Sequence, residues 1–213
     1  MIGEKIDANL LNVNAAKALV SYFDVSKGQK KFVVAIAGES GSGKTHMATA
    51  VGQELLAHQI HAHILHMDDF FILPPASNHA QRLLDIAHVG PQEVNLERLN
   101  AVISAFKSNA CNCSVPTVDY YENSIAESNI DLSLVQVLII EGTYAFFLKD
   151  TDFHLFMSRD FEQTKELRLA RNRGNEAQDE FIERVLRIEH EIIAGSAKKA
   201  DAYIDYDFNL QFR

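Results

Sequence analysis

The residues best suited to chemistry in this chain form one segment, Gly38-Glu39-Ser40-Gly41-Ser42-Gly43-Lys44-Thr45. The segment matches the spacing G-x-x-x-x-G-K-[ST] at every fixed position. Its glycines let the backbone turn so that N–H groups point inward, where side chains would keep a phosphate away. A helix that begins near Gly43 would add unsatisfied N–H donors and the positive end of its dipole. The pattern predicts that residues 38–45, here called the phosphate loop, bind the phosphates of a nucleotide.

Two side chains of the phosphate loop have separate expected tasks. The Lys44 ammonium would bridge the β- and γ-phosphates, and the Thr45 hydroxyl would ligate Mg²⁺. ATP and Mg²⁺ are therefore the expected cofactors. A glycine-rich turn that binds nothing is the alternative, and the apolar run before the loop and the helical pattern after it both disfavour it. The expected nucleotide contacts are Gly38, Ser40, Gly41, Ser42, Gly43, Lys44 and Thr45.

Acidic residues follow two predicted strands. Asp68 and Asp69 end the strand predicted over Ala62–Met67, and Glu141 directly follows the strand predicted over Val135–Ile140. The carboxyl ends of parallel strands face the ligand crevice of open α/β sheets. A carboxylate there can accept the proton of an attacking hydroxyl, and we assign this task to Asp68. Glu141 is the candidate magnesium ligand. Capping or a solvated turn is the alternative for each acid.

Arginines cluster near residue 170. Arg168 and Arg171 share one face of a predicted helix, and Arg173 lies at its end, before a turn at Gly174-Asn175. Guanidinium groups can stabilise a phosphoryl group during transfer, and a closing segment would exclude water. We expect a short helical lid over about residues 168–180, with Arg168 and Arg171 in catalysis and Arg173 on the nucleotide. A solvated helix face with glutamate partners is the alternative.

Apolar runs of strand length alternate with helical patterns, which predicts an α/β domain with a parallel sheet and right-handed crossovers. The continuous apolar run Phe32–Ala37 suits a strand covered on both faces. Ile72–Gln92 is predicted to be irregular because it holds three prolines. We expect a single domain over residues 1–213 with a helical extension over about 1–30. Further strands are predicted at Phe153–Met157 and within Tyr203–Asn209, and helices at Lys44–His58, Leu96–Phe106, Phe161–Arg173 and Glu176–Ala194.

The composition narrows the class of protein. The 213 residues carry a net charge of −9, which disfavours binding to nucleic acid or to an anionic membrane, because both require neutralised phosphates. Cys111 and Cys113 are too close for an unstrained bridge, so we expect reduced thiols and a cytoplasmic protein. The first residues, MIGEKIDANL, lack the basic and apolar regions of a signal peptide, and no apolar stretch approaches about 20 residues, so we expect neither a leader nor a membrane span. Homo-oligomerisation is left open.

Five segments together resemble the uridine kinase and phosphoribulokinase group of P-loop kinases. They are GESGSGKT at 38–45, MDDFF at 67–71, VPTVDYYENS at 115–124, IIEGTYAFF at 139–147 and RLARNR at 168–173. The resemblance implies an NMP-kinase-like three-layer fold with a five-stranded parallel core, ATP with magnesium, and Asp68 as the base. It also implies an acceptor site for a small hydroxyl compound formed by Asp68, Asp69, Phe71, His88, Asp119, Tyr120 and Asn123.

The chain departs from the uridine kinase pattern at the residues that contact the nucleobase. Val118-Asp119-Tyr120 and Asn123 stand where those kinases usually have Tyr-Asp-Phe and a later His, and Ile125 stands where Arg is common. The ribose-binding Asp-His-Pro segment has its nearest match in Asp85-Ile86-Ala87-His88. The resemblance therefore extends to the ATP chemistry better than to uridine recognition.

A small-molecule kinase is the leading hypothesis because the N-K-x-D element of GTPases and the L-S-G-G-Q element of ABC ATPases are missing from the sequence. A nucleoside such as uridine or cytidine is the first expected acceptor. The alternatives are a kinase of another metabolite (a sugar, a vitamin riboside or a pantothenate-like alcohol) and a nucleotide-binding regulatory protein without catalysis. Lys44, Thr45, Asp68 and Glu141 together favour catalysis, since a nucleotide sensor needs no acceptor base.

Overall fold

Six strands form a central sheet between two layers of helices in the computed structural model of the chain, which describes residues 10–23, 31–170 and 180–213. The helices are α1 Leu10–Tyr22, α2 Lys44–Ala57, α3 Pro75–Leu84, α4 Leu96–Lys107, α5 Lys165–Ala170 and α6 Glu180–Ala197. The strands are β1 Phe32–Gly38, β2 Ala62–His66, β3 Asn112–Asp119, β4 Ser124–Asp131, β5 Val137–Glu141, β6 Phe153–Met157, β7 Ala202–Ile204 and β8 Leu210–Phe212.

The central sheet has the strand order β2-β5-β1-β6-β7-β8. The first five strands are parallel, and β8 pairs with β7 in the antiparallel direction. In the register of the centre, Val34 of β1 lies opposite Ile139 of β5 and Phe153 of β6. The predicted α/β class with a five-stranded parallel core is therefore confirmed, with one antiparallel strand added at the edge.

The two central strands are buried on both faces. Every residue of β5 is buried, as is β1 from its second residue onward. Val33 and Ala35 pack into the core beneath α4, whereas Val34 and Ile36 pack into the core beneath α1 and α2. Because side chains alternate between the faces of a strand, a strand with two covered faces must be apolar throughout. This geometry explains the continuous apolar run in the sequence.

The structure corrects two local predictions. The segment Ile72–Gln92 is not irregular throughout, since it contains α3, which has Pro75 in its first turn, where a proline costs no hydrogen bond. The strand expected within Tyr203–Asn209 ends at Ile204. A turn follows in which the Asp205 carboxylate accepts the N–H of Asn209 at 2.8 Å, and β8 begins after it.

A separate two-stranded sheet of β3 and β4 is the remaining element that the sequence did not predict. The two strands pair over their full length, from Asn112 opposite Asp131 to Asp119 opposite Ser124. We call β3, β4 and the turn between them the hairpin. It packs beside the segment that follows β2, and it brings its turn to the carboxyl edge of the central sheet.

The described residues also show the state of the cysteines and the character of the helices. Cys111 and Cys113 are both free cysteines, as predicted. Of the helices that the structure describes, none combines the length and the apolar character that crossing a bilayer requires.

Candidate functional site

The phosphate loop joins the end of β1 to the start of α2. Gly41 and Gly43 have φ values of 79° and 97°, in the left-handed region that favours glycine. The Lys44 ammonium bends back over the loop and donates a hydrogen bond to the carbonyl of Glu39 at 2.8 Å. The loop therefore has the curled backbone and the overhanging cation that the phosphate-binding hypothesis requires.

The segment that contains α5 covers the phosphate loop. The Thr164 hydroxyl donates to the carbonyl of Ser40 at 2.9 Å. The Arg168 side chain lies directly over Gly41, since a Cβ added at Gly41 would lie 2.9 Å from Arg168 Cγ. One predicted lid arginine is thus beside the loop. Arg171 and Arg173, together with the Gly174-Asn175 turn, lie outside the described residues.

Glu39 connects the phosphate loop to α6. Its buried carboxylate accepts the N–H of Phe161 at 2.6 Å and lies 2.6 Å from Nδ1 of His190. Burial raises the pKa of Glu39, against the opposing effect of His190. The sequence did not single out these residues, because Glu39 occupies a variable position of the motif and His190 lies about 150 residues away.

Glu141 is brought to the start of α2 by strand pairing. In the register of β2 and β5, His66 lies opposite Glu141, and Nδ1 of His66 is 2.7 Å from Oε1 of Glu141. The Thr45 hydroxyl donates to the same oxygen at 3.2 Å. Burial alone would raise the pKa of Glu141, but His66, Lys44 and Thr45 together lower it. Glu141 is therefore held as a carboxylate beside Thr45.

These residues fit a magnesium ion that arrives with a nucleotide. Mg²⁺ is usually held by one or two protein oxygens together with phosphate oxygens and water. Thr45 and Glu141 supply a hydroxyl and an ionised carboxylate at one point, next to the loop. In the described residues no group of three or more His, Cys, Asp or Glu side chains could hold a metal ion. A hydroxyl and a carboxylate are both oxygen donors of the kind that Mg²⁺ prefers, so Thr45 and Glu141 fit this ion.

Asp68 and Asp69 lie in a short 3-10 helix, Met67–Phe70, directly after β2. Asp69 is buried, and its carboxylate accepts the N–H of Val118 at 2.9 Å, which joins the hairpin to this 3-10 helix. Asp68 is half-buried and lines a pocket next to the phosphate loop. The two neighbouring acids therefore have different surroundings, one within the fold and one open to a cavity.

We call this cavity the polar pocket. It lies between the phosphate loop, the 3-10 helix, α3, the hairpin and α6. Phe71 and Tyr120, both expected at the acceptor site, line it. The lining side chains include Ser40, Asp68, Phe71, Asn78, Arg82, Tyr120 and Glu189.

Three other residues expected to bind the acceptor are engaged elsewhere and are not among the described residues that line the polar pocket. The Asp119 carboxylate accepts the N–H of Tyr121 within the hairpin turn, at 2.9 Å. The Asn123 side chain accepts the N–H of Ala76 at 2.8 Å and so joins the hairpin to α3. His88 Nε2 lies 3.0 Å from the Asn78 side-chain oxygen.

A buried charge network forms one wall of the polar pocket. Arg82 of α3 donates through Nε and Nη2 to the two oxygens of Glu93, which is fully buried. The Arg82 Nη2 also donates to Glu189 of α6 at 3.1 Å. Sequence reasoning missed this network, because its members come from three elements and have no common spacing.

An arginine and two aromatic rings lie on the other side of the phosphate loop. The guanidinium carbon of Arg159 is 4.1 Å from the centre of the Phe208 ring and 4.7 Å from that of Tyr206. A Cβ added at Gly43 would lie 3.7 Å from the Phe208 ring. A flat surface of this composition suits stacking of a planar group beside the start of α2.

Most of the chain is similar to a family of known proteins. Residues 33–205 match the model of the Phosphoribulokinase / Uridine kinase family. A bifunctional alpha-galactosidase/sucrose kinase, AgaSK, of Mediterraneibacter gnavus is 28% identical over 191 residues, which are 84% of this chain and 20% of that protein. A uridine kinase of Ureaplasma parvum serovar 3 is 29% identical over 115 residues, 54% of each chain. The chain thus spans about a fifth and about half of the length of these two relatives.

A solved structure of another protein has a similar fold. The structure of a possible uridine kinase from Bacillus stearothermophilus superposes with a TM-score of 0.61 at 21% identity, over 90% of this chain and 96% of the other. The family match covers most of the chain and includes the phosphate loop, Asp68 and Glu141. The chain therefore belongs to the phosphoribulokinase / uridine kinase family.

Proposed function

We propose that the chain is an ATP-dependent phosphotransferase that moves the γ-phosphoryl group of ATP to a hydroxyl of a small molecule. One observation carries the proposal: Asp68 and Ser40 of the phosphate loop line the same pocket. An acceptor hydroxyl beside Asp68 would lie next to the terminal phosphate on the loop. Such prior alignment of the reactants is the main requirement of phosphoryl transfer.

The side chains of the site have separate proposed tasks. Lys44 neutralises charge on the terminal phosphates, and Asp68 orients the acceptor hydroxyl and takes its proton. Thr45 and Glu141 hold Mg²⁺. When bound, ATP with Mg²⁺ supplies the transferable phosphoryl group and part of its charge neutralisation. The aliphatic part of Arg168 lies over the loop at Gly41, and its Nη2 donates to the carbonyl of Phe161 at 2.7 Å. Its proposed task is to pair with phosphate once the nucleotide is bound.

Further contacts to the nucleotide are proposed on both sides of the loop. Arg159 and Phe208 offer a stacking surface for the nucleobase. Two further contacts are predictions from the sequence that lie outside the described residues. They are Arg171 as a catalytic cation and Arg173 as a nucleotide contact.

Two acceptor classes are proposed. A nucleoside is the first, because the motifs resemble those of uridine kinases and one relative carries that name. A sugar is the second, because the relative that covers 84% of this chain is named for sucrose kinase activity. The structure favours the second class at one point: Asn123, which stands where uridine kinases have a base-contacting histidine, is bonded to Ala76 instead.

ADP release from ATP, measured with a panel of acceptors, tests the proposed function. The panel contains uridine, cytidine, fructose, sucrose, a vitamin riboside and pantothenate. We expect saturable ADP release that depends on one of these acceptors and on Mg²⁺. Nucleotide binding without an effect of any acceptor would contradict the proposal and favour the regulatory alternative.

A further inference from the structure

Glu93 and Glu189 both accept hydrogen bonds from Arg82, but of the two it is Glu189 that lines the polar pocket. Glu93 accepts four hydrogen bonds, two from Arg82, one from the Asn78 amide at 2.8 Å and one from the N–H of Gly90 at 2.8 Å. A carboxylate has about four acceptor sites. Glu93 is thus saturated within the protein and serves to hold Arg82.

Glu189 is different. Glu189 lines the polar pocket. Among the described residues, Arg82 alone donates a hydrogen bond to its carboxylate, at 3.1 Å. About three of its acceptor sites therefore remain for a molecule in the pocket. A buried carboxylate with unused acceptor sites is costly, so a donor from a ligand would relieve that cost. Burial, together with the charges of Glu93 and Asp68, raises the pKa of Glu189 to about 7 against the effect of Arg82.

The charges around the polar pocket discriminate between acceptors. Asp68 and Glu189 are both acids, and the charge of Arg82 is already matched by Glu93. A phosphorylated acceptor would bring about two negative charges toward these acids. An uncharged polyhydroxylated acceptor would instead donate one hydroxyl to Asp68 and a second to Glu189, with no charge repulsion.

From this geometry we infer that Glu189 is a specificity-determining residue: it accepts a hydrogen bond from a second hydroxyl of an uncharged acceptor and disfavours phosphorylated acceptors. The inference rests on the proposed function, in which Asp68 holds the first hydroxyl. Arg82 is a positioning residue in this arrangement, since its Nη2 donates to the Glu189 carboxylate at 3.1 Å.

Acceptor kinetics with the full chain test the inference. The acceptors are uridine, fructose and sucrose, compared with fructose 6-phosphate and ribulose 5-phosphate. The variants are Glu189→Gln and, as a matched control on the exposed face of the same helix, Glu191→Gln. The assays are run at pH 8, above the pKa of about 7 of Glu189, so that Glu189 is a carboxylate. For the uncharged acceptor that the chain phosphorylates, we expect Glu189→Gln to raise KM at least about tenfold, because the hydrogen bond from the acceptor then goes to a neutral amide instead of a charged carboxylate. The KM for ATP should stay within about twofold, and Glu191→Gln should behave as the unmodified chain.

A second variant tests the inference if Glu189→Gln is too unstable to assay. Glu189→Asp preserves the charge but withdraws the carboxylate by one methylene, so it should raise the KM for the uncharged acceptor and still exclude phosphorylated ones. Thermal unfolding of each variant shows whether it is folded.

Equal acceptor KM values for Glu189→Gln and Glu191→Gln would overturn the inference, as would a preference of the unmodified chain for a phosphorylated acceptor. Both results leave the proposed phosphotransferase activity intact. A complete lack of acceptor-dependent ADP release would instead overturn the proposed function, and the inference with it.

Discussion

Asp68 and Glu141 stand at the ends of neighbouring parallel strands but have opposite surroundings. Glu141 is buried, bonded to Thr45 and His66, and has a lowered pKa, so it remains a carboxylate as a metal ligand must. Asp68 is half-buried and faces the polar pocket. Two acids of similar chemistry are thus separated into different proposed tasks by their environment.

The substitution Asp68→Asn tests the proposed base. Asparagine fills the same space but cannot take a proton, so we expect turnover to fall about 10²- to 10⁴-fold. The affinity for ATP should change less than about twofold, because Asp68 lies outside the phosphate loop. Coupled ADP release and calorimetry measure the two effects. Asp150→Asn, at an exposed position with a φ of 57°, is the matched control. Turnover of Asp68→Asn at the rate of the control would refute the assignment.

The raised pKa of Glu189, about 7 against an ordinary 4.5, predicts a pH-dependent stability. Burial is its largest cause, Glu93 and Asp68 add to it, and Arg82 and Lys44 oppose it. The folded chain holds this proton more tightly than the unfolded chain, so stability falls as pH rises from about 4.5 through 7. Glu189→Gln removes this titration. Urea unfolding gives the free energy of unfolding of both chains at pH 5 and at pH 8. Relative to the unmodified chain, the free energy of unfolding of the variant should rise by about 2 kcal/mol between pH 5 and pH 8. A difference that does not change with pH would contradict the assignment.

At the scale of elements, α3 and α6 are joined through Arg82, and this joint forms a wall of the polar pocket. The Arg82 side chain is 15% exposed and Glu93 is fully buried. Loss of the cation would leave two buried carboxylates without their partner. Breaking a buried ion pair in this way costs about 3–5 kcal/mol.

We therefore expect Arg82→Leu to lower the free energy of unfolding by about 3–5 kcal/mol. Arg98→Leu is the matched control, because Arg98 pairs with Glu127 on the surface, where the side chains are 32% and 57% exposed. An exposed pair of this kind contributes about 0–1 kcal/mol. Denaturant unfolding of both variants measures the two losses in the free energy of unfolding. Equal losses would contradict the prediction that the buried network stabilises the fold more than the surface pair does.

The contact between α5 and the phosphate loop gives a second prediction for elements. Gly41→Ala places a Cβ against Arg168 at a φ of 79°, so we expect a loss of about 1–2 kcal/mol in stability and weaker ATP binding. Gly195→Ala is the control, since a Cβ there meets no atom within 4 Å and alanine favours a helix by about 0.5–1 kcal/mol. Thermal unfolding and nucleotide titration report the two effects. Tolerance of Gly41→Ala would mean that Arg168 does not rest on the loop.

The elements that the sequence predicted well are those with strong patterns. The buried strands β1 and β5 are apolar throughout, and α4 has regular apolar spacing, so their positions were evident. The α3 helix was missed because prolines suggested a break, whereas Pro75 in fact lies in its first turn. The hairpin was missed because β4 is mostly exposed and has no apolar alternation.

At the scale of the whole molecule, parallel topology explains which site residues could be found. The phosphate loop, Asp68 and Glu141 all follow parallel strands, whose carboxyl ends meet at one edge of the sheet. Arg82, Glu93 and Glu189 come together only through tertiary packing, and Arg82 and Glu189 are 107 positions apart in the sequence. No spacing rule in one sequence reports such a contact, so this wall of the polar pocket required the structure.

The central claim is that the phosphate loop holds the terminal phosphates of ATP beside Asp68. Calorimetric titration of the folded chain with ATP and Mg²⁺ tests it most directly, alongside Lys44→Ala and Asp68→Asn. We predict one nucleotide bound per chain, affinity reduced at least about tenfold by Lys44→Ala because a charge-assisted contact to phosphate is lost, and affinity unchanged by Asp68→Asn. Absence of binding by the folded chain, or equal binding by Lys44→Ala, would contradict the claim.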